Sequence, residues 1–494
     1  AEAASNSEFW DEEANQERAD MWSERHSAME DMLQTFRSYY KKPAVRSRIL
    51  EFLGGASPES TTCDYITADS STQAMRRPEL PNALYSKLDN GLDICRSLGD
   101  RESLIAHLDV EYVNFDFVAE PYLDPVRTFE LQEPVVKAIE RILAHYGIRA
   151  LHVLSGRGHH FAWKINRSSD VFRKLCSIGR KAPGANEPQQ TLRDGADSPL
   201  LHQAFAGLGM LMEFISRLVL EMASSECAIP IKLTAVEVDP SAKGRGREMI
   251  SLDISEYGDP LPTRTVRAPF SAYFKPWQQL HSIGQNNIGK IGPIIFIPLD
   301  KMDTQQGLLA MHDPDLAARL AETISTSIPD HTIGMWRLLQ HYMNSPLHHF
   351  HEYFYSQDHE PVARWPLTYD MTHLEELPGA VRNALLFPND LLLKPCNMRK
   401  VTETLLSNGW HPRHIAGLIR SKFERDYGWG DQWIDYSPSM RADFYVRIFA
   451  GLNVSLKETL AEICAAEDSN SSAQWMRSET TRKNQHLTME TIRL

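Results

Sequence analysis

Strand-like segments lie mainly in the middle of this 494-residue chain, and this uneven distribution most restricts the possible folds. Between about residues 100 and 275 they alternate with two helical patterns, and after about residue 300 helical patterns dominate. A strand–helix–strand–strand order, followed by another helix and more strands, predicts an α+β domain on a mainly antiparallel sheet. The later patterns predict a separate, all-helical domain.

Composition changes along the chain suggest four parts. They are an N-terminal helical and loop extension at 1–95, a sheet-based domain at 96–295, a helical accessory domain at 300–466, and a flexible tail at 467–494. The tail is rich in Ser, Thr, Gln and Asn, which is typical of poorly ordered termini.

Charge and cysteine usage narrow the class of protein. A formal net charge of −13 excludes a globally basic nucleic-acid coat, although a local basic patch can still bind phosphate. The longest apolar stretches are too short to span a bilayer, and the first residues lack the layout of a secretory signal. The six cysteines form no CxxC pair, so we expect no zinc site, no disulfide framework, and a cytoplasmic location.

Two carboxylates stand close together in the strand-like segment SLIAHLDVEYVNFDF. Asp109 and Glu111 are two residues apart, so on a strand both side chains point to the same face. Like charges side by side are unfavourable in a sheet, and a divalent cation such as Mg²⁺ or Mn²⁺ would relieve their repulsion. The alternative is an acidic strand face exposed to solvent.

A short polar turn separates two apolar, strand-like runs in LHVLSGRGHHFAWKI. Glycines allow the backbone to approach a ligand closely, and successive backbone N–H groups can surround an anion. The predicted anion-binding residues are Ser155, Gly156, Arg157, Gly158 and His160. A plain hairpin turn with a solvated arginine is the alternative. Because neighbouring strand residues alternate faces, only one of His159 and His160 can point into a site.

A third segment, SLDISEYGDPLPTRTVRAPFSAYFK, combines an acid with basic residues. Asp253 would supply a third metal-binding carboxylate, although Glu237 and Asp239 in AVEVD also share a strand face and are its rivals. Arginine and lysine in this stretch would neutralise phosphate charge. The candidates are Arg264, Arg267, Ser271 and Lys275. Ordinary surface charge is the alternative explanation for both segments.

In this order, the three motifs resemble those of the archaeo-eukaryotic primase superfamily, which includes the primase-polymerases. Its members have an hDhD/E strand, an sGxGxH turn, and an acidic strand that leads into a basic R-x-P-x-S-x-h-x-K-like stretch. Here these positions match HLDVE, SGRGHH, and SLDI with RTVRAPFSAYFK, over about residues 100–290. The chain departs from the family at Tyr273, where relatives often have histidine, and it has no visible zinc knuckle.

The resemblance implies an RRM-like sheet core at 96–295 and template-dependent nucleotidyl transfer. The enzyme would be a DNA primase or primase-polymerase that makes or extends a primer on single-stranded DNA from NTPs or dNTPs. Two Mg²⁺ or Mn²⁺ ions would be held by Asp109, Glu111 and Asp253, and the turn would hold the triphosphate with His160 as a donor. Since the chain has no phosphate-loop motif, a helicase partner would be encoded separately.

Two other functions remain open. One is an inactive primase-like module that only binds nucleic acid or nucleotide. The other is a rolling-circle replication nuclease. That class needs two histidines separated by one apolar residue, whereas His159 and His160 are adjacent here, so this function is disfavoured.

The predicted helical domain contains a basic and aromatic stretch, WHPRHIAGLIRSKFERDYGWGDQW. Such residues are suited to gripping single-stranded template. The candidates are Arg413, Arg420, Lys422 and Trp429. A helix start at Pro412 with core tryptophans is the alternative.

Overall fold

The computed structural model describes residues 29–68, 78–183, 199–388, 392, 394–425 and 437–465. These residues contain nine strands in two sheets. The strands are β1 (Ile66–Thr67), β2 (Cys95–Ser97), β3 (Ser103–Asn114), β4 (Leu151–Leu154), β5 (Gly158–Asn166), β6 (Ile231–Leu233), β7 (Glu248–Asp253), β8 (Thr265–Arg267) and β9 (Ile297–Pro298).

The larger sheet has six strands in the order β6-β7-β3-β5-β4-β9. All its neighbours are antiparallel except β6 and β7, which run parallel. The smaller sheet has the order β1-β2-β8, so β1 of the N-terminal extension pairs with β2, which crosses the predicted boundary at residue 95 and pairs in turn with β8. The α+β class and the mainly antiparallel sheet are therefore confirmed.

Helices pack around the sheets, and every named element of the described chain after β9 is helical. The α-helices are α1 (29–39), α2 (Pro43–Phe52), α3 (Leu84–Asp89), α4 (Glu120–Leu123), α5 (Pro125–His145), α6 (Asp170–Gly179), α7 (Pro199–Ala223), α8 (Lys275–Gln278), α9 (Leu280–Ile283), α10 (Gln285–Ile288), α11 (Thr304–Met311), α12 (Pro314–Thr323), α13 (Thr332–Met343), α14 (Pro346–Phe354), α15 (Gly379–Leu386), α16 (Pro395–Ser407), α17 (Pro412–Phe423), α18 (Pro438–Ala450) and α19 (457–465).

Helix α5 follows its sequence pattern closely. The side chain of Asp124 accepts a hydrogen bond from the backbone N–H of Arg127, which caps the first turn. Apolar residues at helical spacing along α5, including Ile139 and Ile142, are buried. The helix ends before Gly147, which has a φ of 72° and so adopts the left-handed conformation that glycine tolerates best.

Two strand-like segments of the sequence form strands over only part of their length. The segment 231–240 is a strand only over β6, because Thr234 has a φ of 60° and turns the backbone out of the extended conformation. The segment 265–274 likewise forms only β8 before Phe270, whose φ is also 60°. Local turns therefore override strand propensity at both places.

One connected hydrophobic core runs from Phe36 in α1 to Ile463 in α19. The N-terminal extension joins it through the ring of Phe36, which lies 5.5 Å from the ring of Phe274. Within the described ranges, no helix combines the length and apolar character needed to cross a membrane. The predicted tail at 467–494 lies outside the described residues.

Candidate active site

The register of the larger sheet brings the three sequence motifs together. On β3, Asp109 is paired directly with Asp253 on β7 and with His160 on β5. Two residues further along β3, Glu111 is paired with Gly158, at the start of β5. Residues from three distant segments therefore lie side by side on adjacent strands.

The same register bears on which residue supplies the third acid, Asp253 or the pair Glu237 and Asp239. Glu237 has half of its side chain exposed and forms an ion pair of 3.1 Å with Arg247. Asp253 lies opposite Asp109, and one of its carboxylate oxygens accepts a hydrogen bond of 2.9 Å from the backbone N–H of Ser255. The geometry therefore favours Asp253 over the Glu237 and Asp239 pair as the third acid.

The three carboxyl groups differ in their electrostatic surroundings. Burial and then the nearby charges of Glu111 and Asp253 raise the pKa of Asp109 well above its ordinary value. Burial and the charge of Glu111 likewise raise the pKa of Asp253. Burial also acts to raise the pKa of Glu111, but Arg157 and Lys275 outweigh it and lower that pKa. Positive charge therefore outweighs burial at Glu111, whereas at Asp109 and Asp253 burial and the neighbouring acids prevail.

Both glycines of the turn are required by close contacts. A Cβ at Gly158 would lie 1.8 Å from the backbone oxygen of Val110, inside the β3–β5 pairing. A Cβ at Gly156 would lie 2.4 Å from a ring carbon of Tyr273. The tyrosine that departs from the family pattern thus packs directly against the turn. Neither glycine has a positive φ, so close approach and not unusual backbone geometry explains them.

The two adjacent histidines point to opposite faces of β5, as alternation predicts. The Nε2 atom of His160 lies 3.4 Å from an oxygen of Asp109. His159 instead packs against the ring of Phe129, and its Nδ1 atom is 2.9 Å from Nε2 of His152. Burial and neighbouring positive groups lower the pKa of His160 well below its ordinary value, so its ring is neutral.

Sequence reasoning missed two residues that support His160. The Nε2 atom of His107 lies 3.1 Å from Nδ1 of His160, and Glu256 lies 3.0 Å from the other ring nitrogen of His107. Alternation along β3 was a usable signal for His107, because it precedes Asp109 by two residues and shares its face. Glu256 follows β7 in a 3-10 turn, and no sequence pattern indicates its position.

Only part of the predicted basic set reaches the acids. Arg157 donates a short hydrogen bond to Glu111, and the Nζ atom of Lys275 lies 3.9 Å from that carboxylate. Arg267 is buried in an ion pair with Asp93.

The other two predicted members of the basic stretch are also engaged elsewhere. Arg264 is ion-paired with Asp259 at 3.3 Å, and Ser271 accepts a hydrogen bond of 2.7 Å from the backbone of Ile94. In the structure, Arg264, Arg267 and Ser271 are therefore engaged in contacts within the protein, and their role in phosphate binding stays a prediction.

Within the described residues, the basic and aromatic stretch of the helical region forms helix α17 and its C-terminal end. Arg413 is buried in an ion pair with Asp443, and Lys422 is buried as well. Arg420 is ion-paired at 2.5 Å with Glu424, the residue that follows this helix. Helix packing engages these residues, and their role in binding template stays a prediction. Trp429 lies outside the described residues.

The carboxylates of Asp109, Glu111 and Asp253 offer the oxygen ligands that a hard divalent cation prefers. One oxygen of Asp109 is buried without a hydrogen-bond partner among the described residues, which is unfavourable unless another group binds it. Across the described residues, no group of three or more histidine, cysteine, aspartate or glutamate side chains is arranged to hold a metal ion. Arg157 occupies one oxygen of Glu111, so binding of an ion through that oxygen requires the contact to change.

Comparisons with known proteins found no matching family model, no matching curated protein and no matching solved structure.

Proposed function

We propose that this protein is a template-dependent nucleotidyltransferase of the primase-polymerase kind, built on an RRM-like sheet core, that makes or extends primers on single-stranded DNA. The supporting observation is the direct pairing of Asp109 with both Asp253 and His160 across three adjacent strands. The resemblance requires an acid pair, a third acid and a phosphate-binding turn to meet at one place, and the register meets this requirement.

In this proposal, Asp109, Glu111 and Asp253 hold Mg²⁺ or Mn²⁺. When bound, the cations supply Lewis-acid activation of the primer hydroxyl and neutralise charge on the departing pyrophosphate. The chain's own groups bind and orient the nucleotide. The 155–158 turn approaches the triphosphate with its backbone, while Arg157 and Lys275 neutralise phosphate charge.

The role of His160 is positional. Its imidazole is held between Asp109 at 3.4 Å and His107 at 3.1 Å, so its orientation is set before the nucleotide arrives. A neutral ring has one N–H and one acceptor nitrogen; with the N–H on Nε2, beside the acids, His160 would donate to a phosphate oxygen while its Nδ1 accepts a hydrogen bond from Nε2–H of His107. His107 and Glu256 then act as positioning residues behind this donor.

A primer-synthesis assay tests the proposal. The protein is incubated with single-stranded DNA, labelled NTPs or dNTPs, and Mg²⁺ or Mn²⁺, with and without a primer. We expect wild type to incorporate nucleotide, and Asp253→Asn to reduce incorporation by about a hundredfold or more, the scale typical of losing a group that stabilises the transition state. The matched control is Glu237→Gln with Asp239→Asn, which removes the rival acids and should leave activity within about twofold.

Two results would contradict the proposal. Equal activity in wild type and in Asp109→Ala with Glu111→Ala would remove the metal-site assignment. If wild type incorporates nothing under any condition but still binds nucleotide or DNA, the chain is a binding module and not an enzyme. Thermal unfolding of each variant confirms that a lost activity does not reflect a lost fold.

A further inference from the structure

Glu111 is the one acid of the site that is already engaged by the chain's own cations. One of its oxygens accepts a short hydrogen bond from Nη2 of Arg157, and the other lies 3.9 Å from Nζ of Lys275. The side chains of Arg157 and Glu111 are only 17% and 15% exposed, so solvent screens their attraction poorly. In the free protein, the negative charge of Glu111 is therefore already neutralised by Arg157 and Lys275.

Asp109 presents the opposite situation. Its buried Oδ1 atom has no hydrogen-bond partner among the described residues, and Nε2 of His160 lies 3.4 Å from it. A cation entering the site would find this oxygen of Asp109 available, but it would have to compete with Arg157 for one oxygen of Glu111. The two acids of β3 therefore differ in how easily a cation can bind them, although both lie on the same face of the strand.

Arg157 belongs to the turn that the proposed function assigns to the triphosphate. The backbone of the turn is fixed, since Ser155 donates a 2.8 Å hydrogen bond to Gly158 and the carbonyl of Arg157 accepts one of 3.0 Å from Tyr112. Among the described residues, the guanidinium donates only to Glu111, and its buried Nε has no hydrogen-bond partner. A guanidinium has five N–H donors, so most of its binding capacity is unused.

We propose that Arg157 is an exchangeable counterion that neutralises Glu111 in the free protein and moves to phosphate oxygens when a triphosphate binds, which frees Glu111 for the divalent cation. The proposed function supplies the identity of the triphosphate. Guanidinium binds carboxylate and phosphate with the same fork geometry, so one side chain serves both partners. The exchange couples the two ligands: each increases the affinity for the other, and by linkage the coupling is reciprocal.

The test uses binding only, with no DNA and no turnover. Mn²⁺ affinity is measured by electron paramagnetic resonance in the absence of nucleotide, and inorganic triphosphate affinity is measured by calorimetry in the absence of metal. We expect Arg157→Gln to increase Mn²⁺ affinity about tenfold and to decrease triphosphate affinity about tenfold, within the usual range of coupling between sites. Opposite changes in the two affinities are the signature of exchange.

Three further variants sharpen the comparison. Arg157→Lys keeps a charge near Glu111 without the fork, so Mn²⁺ affinity should stay near wild type while triphosphate affinity falls. Lys275→Gln should increase Mn²⁺ affinity less than Arg157→Gln, because Lys275 is more distant from Glu111. The matched control is Arg247→Gln, which removes an arginine paired with the distant Asp116 and should change neither affinity.

Several outcomes would overturn the exchange. If both affinities fall in Arg157→Gln, Arg157 is structural; if Mn²⁺ affinity is unchanged while triphosphate affinity falls, it only binds phosphate. Wild type that binds neither Mn²⁺ nor triphosphate also contradicts it. If wild type synthesises no primer but Arg157→Gln shows the opposite changes, the exchange stands and only the catalytic proposal fails.

Discussion

At the scale of single residues, Gly158 is the position where the turn tolerates least change. It is paired with Glu111 and lies so close to β3 that an added Cβ would fall 1.8 Å from a backbone oxygen. A backbone atom in a sheet cannot move aside as a flexible side chain can. We therefore expect Gly158→Ala to lower the free energy of unfolding by about 2 kcal/mol or more, measured by urea denaturation.

The control for this substitution is Gly379→Ala in the first turn of α15. A Cβ at Gly379 would meet no atom within 4 Å, and alanine is a better helix former than glycine. This variant should be within about 0.5 kcal/mol of wild type, or slightly more stable. Similar losses in both variants would show that the close approach at Gly158 is not the cause.

At the scale of elements, Arg127 links the first turn of α5 to the sheet through two buried acids. Arg127 donates hydrogen bonds of 2.7 Å to Glu248 on β7 and 2.8 Å to Glu120 on α4. Both glutamates are almost fully buried, so removing the arginine leaves Glu120 with the surface contact of Arg245 and takes from Glu248 the ion pair that neutralises it. We expect Arg127→Met to destabilise the fold by about 3 kcal/mol in denaturant unfolding at neutral pH.

Arg245 provides the comparison, because it contacts the same glutamate from the surface. Its Nη1 atom lies 3.2 Å from Glu120, but its side chain is 59% exposed. Exposed ion pairs contribute little, so Arg245→Met should cost less than about 1 kcal/mol. If both substitutions cost the same, burial would not be what makes the Arg127 contacts important.

Features that depend on a local sequence pattern, such as the faces of a strand, were predictable from the sequence. The faces of β3 follow from alternation, and its apolar residues Leu108 and Val110 are buried as expected. Motif order also predicts that Asp109, Glu111, the turn and Asp253 belong to one place, and the register brings them together. The ion pair between Arg157 and Glu111 was not predicted, since it depends on strand register, which local patterns do not specify. The 3-10 turn that brings Glu256 to His107 was missed for the same reason.

At the scale of the whole molecule, a buried charge network connects the sheet-covering helix α7 to the helical region. Glu213 on α7 is fully buried and lies 3.0 Å from Nε of Arg447 on α18 and 3.3 Å from Nε2 of His351 on α14. It is also hydrogen-bonded to Arg217 at 2.7 Å on its own helix. Glu213 therefore joins helices from both sides of the sequence division at about residue 300 through buried contacts.

This network predicts a defined sensitivity to acid. Burial alone would raise the pKa of Glu213, but His351, Arg217 and Arg447 outweigh it and hold that pKa well below its ordinary value of 4.5. The unfolded chain then takes up a proton at a higher pH than the folded chain, so the stabilisation is complete above about pH 4.5 and is lost as pH falls through the folded pKa. Glu213→Gln lacks this contribution.

We therefore expect Glu213→Gln to lower the free energy of unfolding by about 3 kcal/mol at pH 7. The difference from wild type should begin to close below about pH 4.5, because wild type then loses the charged carboxylate. Denaturant unfolding between pH 7 and pH 3 measures both effects. Glu403→Gln is the control, since its ion pair with Arg399 is largely exposed and should contribute less than about 1 kcal/mol. If the difference in unfolding free energy between wild type and Glu213→Gln stays constant down to pH 3, the charge of Glu213 does not stabilise the contact between α7 and the helical region.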